Sequence, residues 1–238
     1  MKILSLNLNH RSRLRKIPDQ LYDVLTGLSP DVLCFNEYVD SDSHLNFKAN
    51  LKTMRYKDIS ISAKIDGIDH NQILIATKTS HQLGELKGPA VTQHATTNFL
   101  HVITSEGLNI IGLRVPSIKG TELESYWVEL VDNLNGLIRE EVVVIGDFNC
   151  NPFKDSKGPA ASMKSLESNS YTIPRPIGDF SYINYDGTQT SCIDHVVVSS
   201  LLNVSRCEYL EKLGEVVIAG KKDTGPITDH CGLLVEIN

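Results

Sequence analysis

The feature that most constrains this chain is a series of short apolar runs, rich in β-branched residues, that recurs along its whole length. They cover Lys2 to Leu6, Val32 to Phe35, Ile73 to Thr77, Phe99 to Thr104, Asn109 to Leu113, Val142 to Ile145, Ile193 to Val198 and Leu233 to Ile237. Runs this short, with Val and Ile dominant, suit strands buried on both faces better than helices. Helical patterns are fewer. The best starts at Thr121, where Glu124 three residues on completes a capping box. It then sets Leu123, Trp127, Leu130, Leu134, Leu137 and Ile138 on one face. A second uses Ile17, Leu21, Leu25 and Leu28, stops near Gly27 and is closed off by Pro30; a third runs from His44 to Met54. Strands outnumber helices, which predicts two packed sheets covered by outer helices rather than a doubly wound parallel sheet.

At 238 residues the chain can bury one substantial core, so a single domain over residues 1–238 is expected. No internal repeat or linker divides it, and Phe148 to Ser170 reads as one long functional loop. The net charge of −6, from 23 Lys and Arg against 29 Asp and Glu, argues against coating a nucleic acid by bulk electrostatics. It leaves room for a phosphate-cleaving site that gathers carboxylates around a cation. Cys34, Cys150, Cys192, Cys207 and Cys231 are scattered, without a C-x-x-C pair, and read as reduced thiols. The first apolar stretch is too short for a secretion signal, and nowhere do about 18 apolar residues follow one another. A cytoplasmic protein that does not enter membranes is expected.

Several chemistry-bearing residues stand at the ends of the apolar runs. Gly146-Asp147-Phe148-Asn149 follows Val142 to Ile145 directly, and a strand end is a rigid base for a carboxylate and an amide. The bland alternative is a turn in which Asp147 and Asn149 bond to nearby main chain. Glu37 ends the run that begins at Val32, either at a site or as an ordinary exposed glutamate. Asp194 opens one late strand, and Asp229-His230 precedes the last; His230 is either catalytic or a satisfied core histidine. Asn7 completes the set. Hard oxygen ligands of the Asn, Glu and Asp type suit Mg²⁺, which keeps several waters and needs only one or two carboxylates.

In order, SLNLN, DVLCFNE, GLRVP, GDFNCNP, CIDHVVVS and TDHCG resemble the motifs of the endonuclease/exonuclease/phosphatase family, over essentially the full chain from Asn7 to His230. The resemblance implies an α/β, or α+β, four-layer sandwich in which two mainly antiparallel β-sheets are flanked by helices, with the site at one edge. It implies a Mg²⁺-dependent phosphoric ester hydrolase, with Mn²⁺ able to substitute. Glu37 would be the principal metal ligand, with Asn7 and Asp229 close to the cation and its waters. Asp147 would orient or deprotonate the attacking water, and Asn149 would hydrogen-bond the scissile phosphate. His230, held by Asp194, would stabilise or protonate phosphate oxygens.

The chain departs from the family pattern at Arg114, which stands where relatives usually carry a phosphate-contacting Tyr or His. A guanidinium there could clamp the same oxygens, and Arg114 is kept in the catalytic set; the alternative is a surface Arg on a solvated strand. Asn36 replaces a common Gln, and Cys192 a common Arg. Asn71, Gln72 and His195 are left outside the site, His195 because strand side chains alternate and it should face away from Asp194. Basic residues adjoin the site in three places: Arg11, Arg13, Arg15 and Lys16; Lys154, Lys157 and Lys164; and Lys221 with Lys222. Such a rim favours DNA or RNA as substrate, cut by an endo- or exonuclease, over a small phosphorylated inositol, lipid or nucleotide. No protein partner is implied, and a monomer is expected.

Overall fold

The computed structural model describes residues 1–9, 17–65 and 68–238. Its backbone is two six-stranded sheets packed face to face. The first sheet runs β13 (Val204–Leu210), β16 (Gly232–Ile237), β1 (Lys2–Asn7), β2 (Val32–Tyr38), β4 (Gln72–Thr77) and β3 (Asp58–Ile61). The second runs β5 (His81–Leu83), β6 (Phe99–Thr104), β7 (Asn109–Arg114), β8 (Val142–Asp147), β12 (Asp194–Ser199) and β9 (Tyr171–Thr172). Two short ribbons stand apart from them, β10 (Tyr182–Ile183) with β11 (Thr190–Ser191) and β14 (Lys212–Leu213) with β15 (Val216–Val217). The helices lie outside: α1 (Gln20–Leu28) and α2 (Leu45–Thr53) against the first sheet, α4 (Thr121–Asn135) and α5 (Pro159–Ser165) against the second. A short α3 (Gln93–Thr97) precedes β6. This is the four-layer sandwich expected from the sequence.

Three apolar cores hold the layers. The central one joins the sheets through Ile3, Cys34, Ile73, Ile75, Ile110, Val143, Ile145, Val196 and Leu233, all essentially without solvent contact. An outer core packs Tyr126, Trp127, Leu130 and Leu134 of α4 onto Val142, Val144 and Phe148; the other packs Leu21, Val24 and Leu25 of α1 onto Leu4, Leu33 and Phe35. Alternate residues of one strand thus serve different cores, which is why these strands read as continuous apolar runs.

The sheets share a pattern that no sequence repeat announces. Each has one parallel pair at its centre, β1 with β2 and β7 with β8, and antiparallel pairs elsewhere. A helix bridges each parallel pair, as a crossover requires. The C-terminal ends of β1, β2, β7 and β8 and the N-terminal ends of the antiparallel neighbours β12 and β16 therefore come to one edge of the sandwich.

Local details differ from the sequence reading. The α4 capping box does not form: Gly120, at φ 65°, is the N-cap residue, Thr121 is already helical, and no side chain caps the end. Glu122 and Glu124 instead place negative charge in the first turn, where the helix dipole favours it. The helix ends at Asn135, so Leu137 and Ile138 lie beyond it and Ile138 is exposed. Helix α1 begins at Gln20, after Pro18; Ile17 precedes it but joins the same core. The stretch Phe148 to Ser170 is not one loop. It contains α5, opened by Pro159 and anchored by Ala160 and Met163, followed by a tight 3-10 turn over Leu166–Asn169. All five cysteines are free, and among the described residues no helix is long and apolar enough to cross a membrane.

Candidate active site

Asn7, Glu37, Arg114 and Asp147 are the last or nearly last residues of β1, β2, β7 and β8, and the strand registers fix their relative heights. Asn7 pairs with Asn36, and Arg114 and Asp194 both pair with Asp147. Two backbone irregularities turn the side chains inward. The pairing of β2 with β4 shifts register between Phe35 and Tyr38, and Glu37 in that bulge has φ 55°, a conformation rare for glutamate. Gly146, at φ 145°, leaves no room for a Cβ, which would collide with the Leu113 carbonyl oxygen and crowd Asn36 Oδ1. Only glycine lets β8 continue to Asp147 so close to β7.

Asp147 is the hub. Its Oδ1 accepts from the Asn149 backbone N–H at 3.0 Å and its Oδ2 from Asn7 Nδ2 at 3.2 Å, while Arg114 Nε lies 3.6 Å away. Asn149, at φ 50°, donates its side-chain amide to the Val115 carbonyl at 2.6 Å. The turn foreseen as the bland alternative for GDFN is therefore present, and the same turn projects Asp147 into the cleft. Arg114 is not on a solvated face. Its side chain is only 18% exposed, and Nε sits 2.8 Å from Glu37 Oε1, close enough to pair charges but not aligned as an N–H···O bond.

On the other side of the cleft, His230 Nδ1 and Asp194 Oδ2 are 2.8 Å apart and both residues are buried. That bond leaves Nε2 turned toward Asp229, whose Oδ1 is 4.0 Å away. Thr228 ties this strand end to the first, donating from Oγ1 to the Asn7 carbonyl at 2.8 Å. His195 lies outside the site. Its Nε2 faces the carbonyls of Cys150 and Cys192 at 2.9 and 3.1 Å, and its ring packs near Phe148 and Phe153.

Electrostatics join these groups into one site. Burial, then the charge of Asp194, pushes the Asp147 carboxyl up to about 7 against the pull of His230, Arg114 and the Asn149 N–H. Burial opposes charge on His230, yet Asp194 by charge and hydrogen bond, with Asp147 and Asp229, outweighs it and holds the imidazole up at about 9. Asp229 is raised by burial, with Glu37 adding to the rise and His230 opposing it.

Supporting residues carried no signal in the sequence. Ser181 Oγ accepts from the backbone N–H groups of Ile193 and Asp194 at 2.8 and 3.0 Å, and Tyr209 donates its hydroxyl to the Asp194 carbonyl at 2.7 Å. Tyr182 packs its ring 5.1 Å from that of His230. They come from segments without regular periodicity, FSYIN and the edge strand β13.

A sequence profile described as the Endonuclease/Exonuclease/phosphatase family matches residues 4–230, which span every group above. The chain belongs to this family. Members of the Endonuclease/Exonuclease/phosphatase family are hydrolases acting on phosphoester bonds. No curated protein matches the chain by sequence. Solved structures that share the fold include a 3′ phosphatase from Neisseria, NExo, bound to a product DNA hairpin, at 17% identity and TM-score 0.76 over 100% of this chain and 99% of that one. They include an AP endonuclease from Archaeoglobus fulgidus, at 15% and 0.72 over 100% and 99%. A mannosyl-6-phosphatase from Bacteroides thetaiotaomicron aligns at 13% and 0.67 over 100% and 99%.

The residues present fit the divalent cation that this family membership suggests. Among the described residues, Arg114 and His230 are the cationic groups that lie against the carboxylates of Glu37, Asp147, Asp194 and Asp229, and Asp147 and Asp229 are raised by burial first, with neighbouring carboxylates adding to the rise. Asn7 Oδ1 accepts from the Asn9 N–H at 2.9 Å and keeps a second lone pair. Among the described residues no group of three His, Cys, Asp or Glu side chains gathers closely enough to hold a metal alone. Such a donor set suits Mg²⁺, which retains waters, rather than a closed zinc cage.

Proposed function

We propose that the chain is a Mg²⁺-dependent phosphodiesterase that hydrolyses DNA or RNA by in-line attack of water, as one catalytic domain acting as a monomer. The observation that carries this reading is the meeting of Glu37, Asp147 and His230, from three different strand ends, at one edge of the sandwich. Glu37, with Asn7 and Asp229, would hold the cation, whose chemistry when bound is to offset charge on phosphoryl oxygens. Mn²⁺ would serve in its place. Asp147, held up at about 7, can take a proton from water near neutral pH. Asn149 keeps one side-chain N–H beyond its bond to Val115 for a phosphate oxygen. His230, charged through neutral pH and locked at Nδ1 by Asp194, offers Nε2–H to a phosphoryl or leaving oxygen.

The preference for a polymer rests on the basic rim. Lys154, Lys157, Lys164, Lys221 and Lys222 are all exposed, although Lys221 pairs with Asp223 at 3.2 Å and Lys222 lies over the Tyr185 ring. The Arg11, Arg13, Arg15 and Lys16 cluster lies outside the described residues. A second reading, a phosphatase of a small phosphorylated molecule, is favoured by Arg114, whose fixed charge in the cleft suits a dianionic terminal phosphate. The names of the structural relatives span both classes, a 3′ phosphatase bound to DNA and a mannosyl-6-phosphatase. Incubation with Mg²⁺, labelled single-stranded and duplex DNA and RNA, and a phosphomonoester panel separates them, with EDTA as control. Cleavage of polymers, abolished by EDTA, is expected; turnover of monoesters alone moves the assignment to the phosphatase reading.

A further inference from the structure

Arg114 does something that neither a phosphate clamp nor a surface arginine requires. Its Nε lies 2.8 Å from Glu37 Oε1 and 3.6 Å from Asp147 Oδ2, so one guanidinium serves two carboxylates that come from different sheets. Both carboxylates are buried, with side-chain exposures of 7% and 3%, where an uncompensated charge is costly. The guanidinium cannot shed its proton, so this positive charge stays in the site under all ordinary conditions. Arg114 is also fixed at its root, its backbone N–H donating to the Asn98 carbonyl at 2.9 Å. The side chain can move, but the residue cannot leave the cleft.

We infer that Arg114 is the resident counter-ion of the cation-free site: it holds Glu37 until a divalent cation takes that carboxylate, and it thereby weakens cation binding. This rests on the reading above in which Glu37 is the principal ligand. Two positive groups compete for one carboxylate oxygen, and each repels the other. With a divalent ion bound at Glu37, Arg114 would turn away from that carboxylate and its guanidinium charge would be available to phosphoryl oxygens. The cation-free cleft stays assembled, at the expense of affinity for the ion. Arg114 is a positioning residue in the first state, and it becomes available to the substrate only in the second.

The test measures binding of Mn²⁺ alone to the full chain, counting free ion by electron paramagnetic resonance, for wild type, Arg114→Gln and Glu37→Gln. Arg114→Gln should bind Mn²⁺ at least about tenfold more tightly, the scale on which one nearby charge acts at a partly buried site. Its melting temperature should be lower than wild type in EDTA and should gain more on adding Mn²⁺. Equal or weaker Mn²⁺ affinity in Arg114→Gln, with binding still dependent on Glu37, overturns the counter-ion role alone. Undiminished binding by Glu37→Gln, or binding by none of the proteins, removes the metal assignment and the inference with it. A measurement on wild type guards against a variant that does not fold. With ¹⁵N-arginine labelling, the Arg114 Nε–H resonance should shift and exchange faster with water as Mg²⁺ is added. A resonance indifferent to Mg²⁺ up to saturation overturns the inference.

Discussion

Replacing Asp194 by Asn should convert His230 from a charged to a neutral residue at the pH where the enzyme works. The bond from His230 Nδ1 to Asp194 Oδ2 is 2.8 Å long and buried, and the imidazole is held at about 9 against an ordinary 6.5. That separation corresponds to about 3 kcal/mol, at 1.36 kcal/mol per pKa unit. In Asp194→Asn the largest supporting charge is gone while burial still disfavours the cation, so His230 should titrate near or below its ordinary value. At pH 8 about nine-tenths of wild-type His230 is then protonated, against roughly 3% in the variant. Phosphoester turnover should fall at least about 30-fold at pH 8 and recover to within a few-fold of wild type at pH 6. The decisive measurement is the His230 ring-proton titration by NMR in metal-free protein, read beside the pH–rate profile. A wild-type His230 that titrates near 6.5, or a variant deficit equal at pH 6 and pH 8, refutes the role assigned to this pair.

The same shift sets a pH dependence of folding. A histidine raised in the folded state contributes stability that is fully present below about 6.5 and is lost as pH rises through about 9. For a chain of this length about 3 kcal/mol corresponds to roughly 6–12 °C in melting temperature. The EDTA-treated protein should therefore melt progressively lower between pH 6.5 and pH 9, and Asp194→Asn should show much less of that fall. Asp147→Asn should trade activity for stability. The buried carboxyl is held at about 7 by burial and by Asp194, so at pH 8 its charge is destabilising, and the amide should raise metal-free stability by about 1–3 kcal/mol. Its kcat should fall by about 10³; a variant both less stable and active would contradict the base assignment. Gly146→Ala forces a Cβ into the Leu113 carbonyl at φ 145°, and should cost at least about 2 kcal/mol, or roughly 4–8 °C by thermal melting. An unchanged melting temperature would show that β8 reaches Asp147 without strain.

Most of the fold was legible because the central strands are buried on both faces. Val142, Val143, Val144 and Ile145 are all fully buried, alternate ones serving different cores, so polar residues interrupt such runs only where the strand meets the cleft. That is why the readings at β1, β2, β7 and β8 stopped short: the polar residues that ended each run, through Asn7, Glu37, Arg114 and Asp147, still belong to their strands. Edge strands were missed for the opposite reason. β13 reads VSRCEYL, with Arg206 and Glu208 on an open edge, and β3 is half-buried throughout. The candidate site residues could be proposed one by one from their strand ends, but the Arg114–Glu37 pair could not. It depends on a bulge in one sheet facing a strand end in the other, and no local spacing encodes a contact between residues that far apart in the chain.

The strain at the cleft argues that the core, more than any loop, holds the site in shape. Glu37 and Asn149 occupy the left-handed region although neither is glycine, and each adjoins fully buried residues, Asn36 with Tyr38 and Phe148. Such conformations persist where surrounding packing over-determines them. Asp147 is fixed by registers on both sides, to Arg114 of β7 and to Asp194 of β12, so its position follows from strand pairing. Charge is what remains adjustable. Among the described residues the carboxylates of the site outnumber its cationic groups, their backbones cannot retreat, and the Arg114 side chain is a long, permanently charged group in contact with two of them. On the inference drawn above, a framework rigid in position and unbalanced in charge would respond to an arriving cation by rearranging its own cation first. A substrate phosphate would then supply the negative partner that Arg114 gives up on leaving Glu37.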